Sequence, residues 1–525
     1  MVPYFLHNLV PKREKRESAR PLLTVLGELT LIQWALFFSG WLAWTCDSLD
    51  FFSVSLSITH LQTQFNRSTH DITTAITLTL LFRSVGAVVF GILSDRYGRK
   101  WPLVWNLILV AILELGAGFV KTFRQFLALR SLFGIGMGGI WGLAAATALE
   151  NLPVEARGIA SGFLQEGYAV GYLIAAVINL FLVPEVSAGW RSLFWTASGI
   201  SLFAAFIRML LPESEVFLRA KEAGIARGKD TTKKTKIFIQ ETKAMLKRHW
   251  LLCIHAPQVI ASRIVILLVP LHPWGDNISR EYLPSSSTFL AHGSQANSSD
   301  LYPTYLTASK GLSSHDSTVA TIIGNCGAIA GGVFAGWLSQ YIGRRLTIII
   351  HILLVGAFIP LWILPTTFGA LSAGAFCIQF GVQGGLGVIP IQLAEMSPPA
   401  FRATFPGVAY QIGNMISSAS AQIEATGGDN LRTTVIENGK VTDVPDYATV
   451  QGILIGVVAA FVIFITIIGP ENHGSQFEKA KTAFEEGGGR DKIAVEDRPG
   501  KSSRHESDSV SGDEKKGSIS EVEKV

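Results

Sequence analysis

An arginine stands in the middle of an apolar run: residues 72–94 read ITTAITLTLLFRSVGAVVFGILS, with Arg83 at the centre. Its guanidinium is a planar fork of donors that fits the two oxygens of a carboxylate. A charge at membrane depth is costly and is read first as functional. Arg83 is therefore expected to anchor a carboxylate substrate; the alternative is a structural ion pair with Asp47 or Asp50. Those two aspartates lie in WTCDSLDFF, residues 44–52. Three positions apart on a helix, they share a face. Like charges in a low dielectric favour a form in which one carboxyl keeps a proton. That makes Asp47 and Asp50 candidates for proton coupling, unless Asp50 simply ends its helix in water. Glu166, in GFLQEGYAV, is a third candidate of the same kind.

The elements that must position these groups are membrane-spanning helices. Of 525 residues, 49% are hydrophobic and 16% charged. A soluble protein carries about 25% charged residues, so lipid is the solvent for much of this chain. A spanning helix needs about 20 apolar residues. Twelve segments qualify: 32–56, 72–94, 101–120, 126–149, 158–183 and 191–211, then 250–271, 318–339, 346–365, 368–392, 403–424 and 449–469. The expected organisation is a segment at 1–31, a six-helix bundle at 32–211, a basic loop at 212–249, a second bundle at 250–470 and a disordered tail at 471–525. The tail is Ser, Glu, Lys and Gly with few large apolar residues, a composition that cannot bury a core.

Charge sets the orientation. The loop at 212–249 holds ten Lys/Arg and the first segment holds five, whereas 57–71 has only Arg67 and 184–190 has none. The positive-inside rule places both termini and the central loop in the cytoplasm, with the first helix as an uncleaved signal. The four cysteines are scattered through apolar stretches with no CxxC and read as small buried hydrophobes. Sequons at Asn66, Asn277 and Asn297 fall on the expected outer side.

The two halves repeat. GILSDRYGRK at 91–100 recurs as GWLSQYIGRR at 336–345, and ENLPVEAR at 150–157 recurs as EMSPPAFR at 395–402, each 245 residues on. A duplicated polytopic protein is most often a transporter working by alternating access around a central site. The pattern Gly91, Asp95, Arg96, Gly98, Arg99 and Lys100 resembles the signature loop of the major facilitator superfamily. Its weaker copy ends on Gly343, Arg344 and Arg345, with Gln340 in place of Asp95. The pairs Glu150–Arg157 and Glu395–Arg402 resemble that family's charge relay. The resemblance implies an all-α membrane protein with twelve helices in two pseudo-symmetric bundles, and loops that latch the outward-facing state.

Residues 292–306 read HGSQANSSDLYPTYL, which with ANSS set aside resembles the signature of the fungal lactate/pyruvate–proton symporters of the sialate–proton symporter branch. LFRSVGAVVFG, GFLQEGYAVGYLIA and AYQIGNMISS resemble the same branch. The resemblance implies roles for His292, Gln295, Asp300 and Thr304 and for Gln411 and Asn414. His292 titrates in the working range and is a candidate for substrate or proton; the plain alternative is an outer-loop histidine. The neutral groups would hold the rest of a small hydroxy or keto acid, or simply join helices.

The chain departs from the pattern at that signature. Thr288 stands where the signature opens on Asn, ANSS occupies 296–299, and 42 residues separate Trp250 from His292, about twice a span. Arg263 and four prolines fall in 257–287. Residues 257–287 and 296–299 read as insertions, either retained non-coding sequence or a genuine outer-face addition; the composition of the longer one fits neither helix nor surface loop.

The expected function is plasma-membrane symport of a short monocarboxylate such as lactate, pyruvate or acetate with a proton. A facilitator for another anion or a polyol, or a non-transporting nutrient sensor, are the alternatives. No nucleophile–base set, metal cluster or GxxxxGK[ST] motif is present, so no enzyme, cofactor or ATP drive is expected. Partners are the small organic acid, protons and the bilayer, not nucleic acid, with ubiquitin or kinase machinery possible on the tail.

Overall fold

The structure, a computed structural model, describes residues 21–215, 217–218, 240, 302–397, 401–418, 431–437, 440–468 and 473. The segments 1–20, 250–301 and almost all of 219–249 and 469–525 lie outside it, and with them the expected basic loop, seventh span, insertions and tail.

The first half contains α1 (Leu22–Gly27), α2 (Leu31–Leu56), α3 (Ile58–Phe65), α4 (Thr69–Tyr97) and α5 (Lys100–Ala117). It continues with α6 (Phe123–Gly138), α7 (Ile140–Leu149), α8 (Arg157–Gln165), α9 (Gly167–Phe181) and α10 (Arg191–Leu210). The second half contains α11 (Tyr302–Ala308), α12 (Ser314–Ile342), α13 (Arg344–Ile363), α14 (Phe368–Gly387), α15 (Ile389–Met396) and α16 (Thr404–Ser417). The hairpin β1 (Arg432–Glu437) and β2 (Lys440–Pro445) and then α17 (Tyr447–Ile468) follow.

Local chemistry starts these helices where the hydropathy does. Thr30, Ser68 and Thr122 each close a capping box on the residue three positions on. Gly98 and Gly343 end α4 and α12 at φ of 107° and 91°, a region that a side chain disfavours. These two glycines occupy the same place in the two repeats.

Among the described residues nine helices or helix pairs are long and apolar enough to cross a bilayer. The span α6–α7 is 89% buried and α14–α15 83%, against 39–50% for the other seven, so these two line the centre. The breaks inside both spans follow the glycine-rich runs at 134–142 and 381–387. α2, 26 residues long and rich in buried polar groups, supplies a further inner helix. The halves meet where α4 packs on α16 and α8 on α12.

One sequence expectation is corrected, and one element is new. Cys326 is exposed and Cys377 half-buried, where burial was expected of both; a small, weakly polar thiol sits on a helix surface as readily as in a core. The connection before α17 contains an antiparallel hairpin with Arg432 opposite Pro445 and Glu437 opposite Lys440. Asn438-Gly439 between alternating residues is a strong hairpin signal that the span count passed over.

Candidate functional site

Arg83 points into the first half, and its Nη2 donates to Asp47 Oδ2 at 2.7 Å. Both side chains are sealed from solvent. The fork is half used: Arg83 Nε and Asp47 Oδ1 have no hydrogen-bond partner among the described residues. Trp44 flanks the guanidinium, with 6.0 Å from Arg83 Cζ to the ring centroid.

An aromatic stack continues from this pair to the centre of the molecule. Trp44 stacks on Tyr168 at 5.4 Å and meets Tyr410 edge-on at 5.9 Å. Trp141 lies flat on Tyr410 at 3.9 Å. Gln165 Nε2 donates to Tyr410 Oη at 3.3 Å, and Trp141 Nε1 donates to Gln165 Oε1 at 3.4 Å. Of the amides named from sequence, Gln411 and Asn414 come together: Asn414 Nδ2 donates to Gln411 Oε1 at 2.6 Å. Ser84 Oγ, next to Arg83, donates to the Gln411 carbonyl at 3.1 Å. The structure thus gathers Arg83, Asp47, Gln411 and Asn414 on facing helices of the two halves. His292, Gln295 and Asp300 lie outside the described residues; Thr304 falls on α11, and its side chain lies outside them too.

Asp50 does not share the surroundings of Asp47. It accepts from Ser201 Oγ at 2.9 Å and lies within electrostatic reach of Glu114 and Arg130. Arg130 Nη1 binds Glu114 Oε2 at 2.6 Å, with its guanidinium 3.9 Å from the Phe133 centroid. This second buried charge cluster, between α2, α5, α6 and α10, was missed from sequence. The signal was present, because Glu114 and Arg130 are charges inside apolar runs just as Arg83 is.

Glu166 sits at the joint between α8 and α9, and neither carboxylate oxygen has a partner among the described residues. Tyr172 of the first half and Tyr302, Asn325, Trp362 and Gln379 of the second line a narrow crevice with room for about one water molecule.

The signature loops form the other cluster, at what we call the basic end. Arg99 forks Glu150 through Nε and Nη2 at 3.2 and 2.8 Å, and Arg344 forks Glu395 through the same atoms at 3.2 and 3.0 Å. Arg99 Nη1 also reaches the Ser94 carbonyl, and Arg344 Nη1 the Ser339 hydroxyl. Each glutamate is thus forked by its loop arginine, a partner the sequence reading of Glu150–Arg157 and Glu395–Arg402 did not include. Arg157 Nε donates to the Leu152 carbonyl at 2.9 Å. Burial lowers Arg99, but Glu150 and Asp95 more than offset it and the guanidinium is raised overall. Burial pushes Arg402 down to about 10, so it remains charged at neutral pH. Arg345 donates to the carbonyls of Thr466 and Ile467, tying α13 to α17. Arg96 and Lys100 lie over Tyr97 and Trp101.

These loops also bridge the halves. Asp95 accepts from the Thr404 N–H at 3.0 Å, its hydroxyl at 2.6 Å and the Ala403 N–H at 3.3 Å, capping the start of α16. Gln340 donates to the carbonyls of Val154 and Glu155 at 3.1 and 3.0 Å. Ser161 Oγ donates to the Gly387 carbonyl at 2.8 Å. The basic end is therefore closed.

The sequence profile of the Major Facilitator Superfamily matches residues 34–421. This chain belongs to the Major Facilitator Superfamily. Within it, the chain is 35% identical over 466 residues, 87% of its length, to a Saccharomyces cerevisiae carboxylic acid transporter protein homolog, covering 71% of that protein. It is 27% identical over 448 residues to a probable 4-methylmuconolactone transporter of Cupriavidus pinatubonensis, covering 84% of this chain and 91% of the other. The proton:xylose symporter XylE superposes with a TM-score of 0.59 at 18% identity, covering 85% of this chain and 98% of XylE. That likeness fixes the facilitator fold: twelve helices in two pseudo-symmetric bundles. The chain is a multi-pass membrane transporter and not an enzyme.

Proposed function

We propose that this facilitator imports short monocarboxylates such as lactate, pyruvate or acetate across the plasma membrane, one proton with each anion. The observation that carries this reading is the Arg83–Asp47 pair, a sealed carboxylate–guanidinium contact with half its hydrogen-bonding capacity unused. An incoming carboxylate competes with Asp47 for Arg83. Once displaced, Asp47 is a buried anion without a counter-ion, a costly state that taking a proton relieves. Anion and proton then enter together and the loaded site keeps its charge. Gln411 and Asn414 supply neutral donors for a hydroxyl or keto oxygen.

The carboxylic acid transporter relative from yeast supports the substrate class. In this reading the basic end faces the cytosol, so the structure is closed on that side and the anion arrives from outside. The 4-methylmuconolactone transporter relative favours a second reading in which the substrate is larger.

The test is labelled lactate uptake in yeast lacking its own carboxylate permeases, at external pH 5 and pH 7, with and without a protonophore. Acid-stimulated, protonophore-sensitive uptake is expected. Uptake indifferent to both pH and protonophore rejects proton coupling, and competition by muconate stronger than by lactate favours the larger substrate.

A further inference from the structure

Glu166 is fully buried, and neither of its oxygens has a hydrogen-bond partner among the described residues. It lies on the contact between the two halves: a methyl group added to Gly332 of α12 would overlap Glu166 Oε1. The elements packed on α8 and α9 are α2, α7, α10, α12, α14 and α15. Their charged groups are engaged elsewhere or lie at the helix ends. Asp47 is bound by Arg83, Asp50 by Ser201 and Glu395 by Arg344. Arg191 and Arg208 stand near the two ends of α10, and His315 and Asp316 at the start of α12. The repeat gives an internal comparison. Gln411 is the residue 245 positions on from Glu166, and there a neutral amide accepts from Asn414.

We propose that Glu166 is a proton-operated gate on the closure of the basic end, distinct from the proton carried with the substrate. This rests on the reading above only in taking the basic end as cytosolic. A carboxylate pressed against Gly332 with no partner is a buried charge with nothing to offset its lost hydration, so the neutral acid is the form that fits the closed joint. Parting α8 from α12 admits water and lets the acid ionise. Closure then takes one proton from the cytosol, and opening returns it to the same compartment. No net proton crosses, so Glu166 sets how readily the empty carrier resets and does not power uptake. By linkage, falling pH favours the closed joint, by up to about tenfold in the equilibrium per pH unit.

The test needs no substrate, so it does not depend on which acid is carried. Spin labels are placed at Trp101→Cys and Tyr341→Cys, exposed positions of the two halves, with the native cysteines replaced by serine. Distances are measured on the empty full-length chain in nanodiscs between pH 5 and pH 8. The expected result is a growing long-distance population as pH rises, and for Glu166→Gln a short distance throughout. A parent protein whose distances ignore pH overturns the proposal without recourse to any variant. So does a Glu166→Gln protein that responds as the parent does. Failure of acid-driven lactate uptake with this response intact would sink the substrate reading alone.

Discussion

Gln165 and Tyr410 are 245 residues apart, the spacing of the internal repeat, and they hydrogen-bond to each other at 3.3 Å. A residue that touches its own counterpart must lie beside the axis relating the two halves. A symmetric pair of glycine contacts obeys the same axis. A methyl on Gly407 would lie 3.3 Å from the Gly142 Cα, and a methyl on Gly387 would lie 3.3 Å from the Gly162 Cα. These are equivalent pairs, so the two halves close on one another through matched glycine contacts. The substrate site proposed at Arg83 lies one aromatic ring from that axis.

Tyr410→Phe should therefore be mild and Tyr410→Ala should not. Phenylalanine keeps the face-to-face contact with Trp141 and loses one neutral hydrogen bond, about 1 kcal/mol. Alanine also removes the stack and leaves a cavity, about 3–5 kcal/mol. Thermal unfolding in detergent should rank the two in that order. Equal midpoints for Phe and Ala would show that the stack contributes nothing to stability.

Arg83→Lys should abolish carboxylate uptake while surface expression persists. Lysine keeps the charge for Asp47 but presents a compact ammonium in place of a planar fork. Asp47→Asn should behave differently: Arg83 remains to bind the anion, but the carboxyl that takes the proton is gone. Exchange of labelled for unlabelled substrate should survive in Asp47→Asn, and acid-driven accumulation should not. Normal accumulation by either variant would remove that residue from the mechanism.

The spans that fall on described residues, the duplication and the signature loops were legible in the sequence because each rests on local composition or on spacing. The charge relay was legible only in part. Glu150 and Glu395 were found, but the loop arginine 51 positions upstream that forks each of them was not linked to it. Spacing along the chain says nothing about which helix ends converge. Asp47 and Asp50 show the same limit from the other side. A shared helical face is wide enough for one residue to meet Arg83 and the next to meet Ser201. Glu114 and Arg130 satisfied the rule that singled out Arg83, and only their contact across α5 and α6 shows them as a pair.

That pair carries a prediction about folding. Glu114→Gln leaves Arg130 buried beside a neutral amide, and breaking one member of a buried pair costs about 3–5 kcal/mol. The variant should reach the surface poorly. Replacing both residues with apolar side chains of similar size, Glu114→Leu with Arg130→Met, should recover much of the loss, because the buried guanidinium leaves with its carboxylate and Asp50 keeps its hydrogen bond from Ser201. Quantified surface protein for the single and double variants decides it. A double variant worse than the single would mean the pair does more than hold the bundle.

Asp95 offers the sharpest test of the closed state, because its copy in the second half is Gln340. Asp95 accepts three hydrogen bonds from the start of α16, and its Oδ1 lies 3.1 Å from Arg99 Nη1. Gln340 donates to two carbonyls ahead of α8 instead. Both bridges exist only while the basic end is shut, so weakening them should favour opening and leave each bundle intact. Asp95→Asn keeps an acceptor for α16 but gives up the charge; Asp95→Ala removes the cap as well, about 0.5–2 kcal/mol. Each 1.4 kcal/mol shifts the equilibrium about tenfold. Gln340→Ala removes only neutral hydrogen bonds that water can replace once the joint opens, so its effect should be the smallest. Thiol labelling of Ser161→Cys, whose parent hydroxyl bonds Gly387 across the closed joint, reads the open fraction directly. Labelling should rise in the order Gln340→Ala, Asp95→Asn, Asp95→Ala. An unchanged rate in Asp95→Ala would mean that the glycine contacts alone hold this end closed, and that the signature carboxylate serves only to place Arg99.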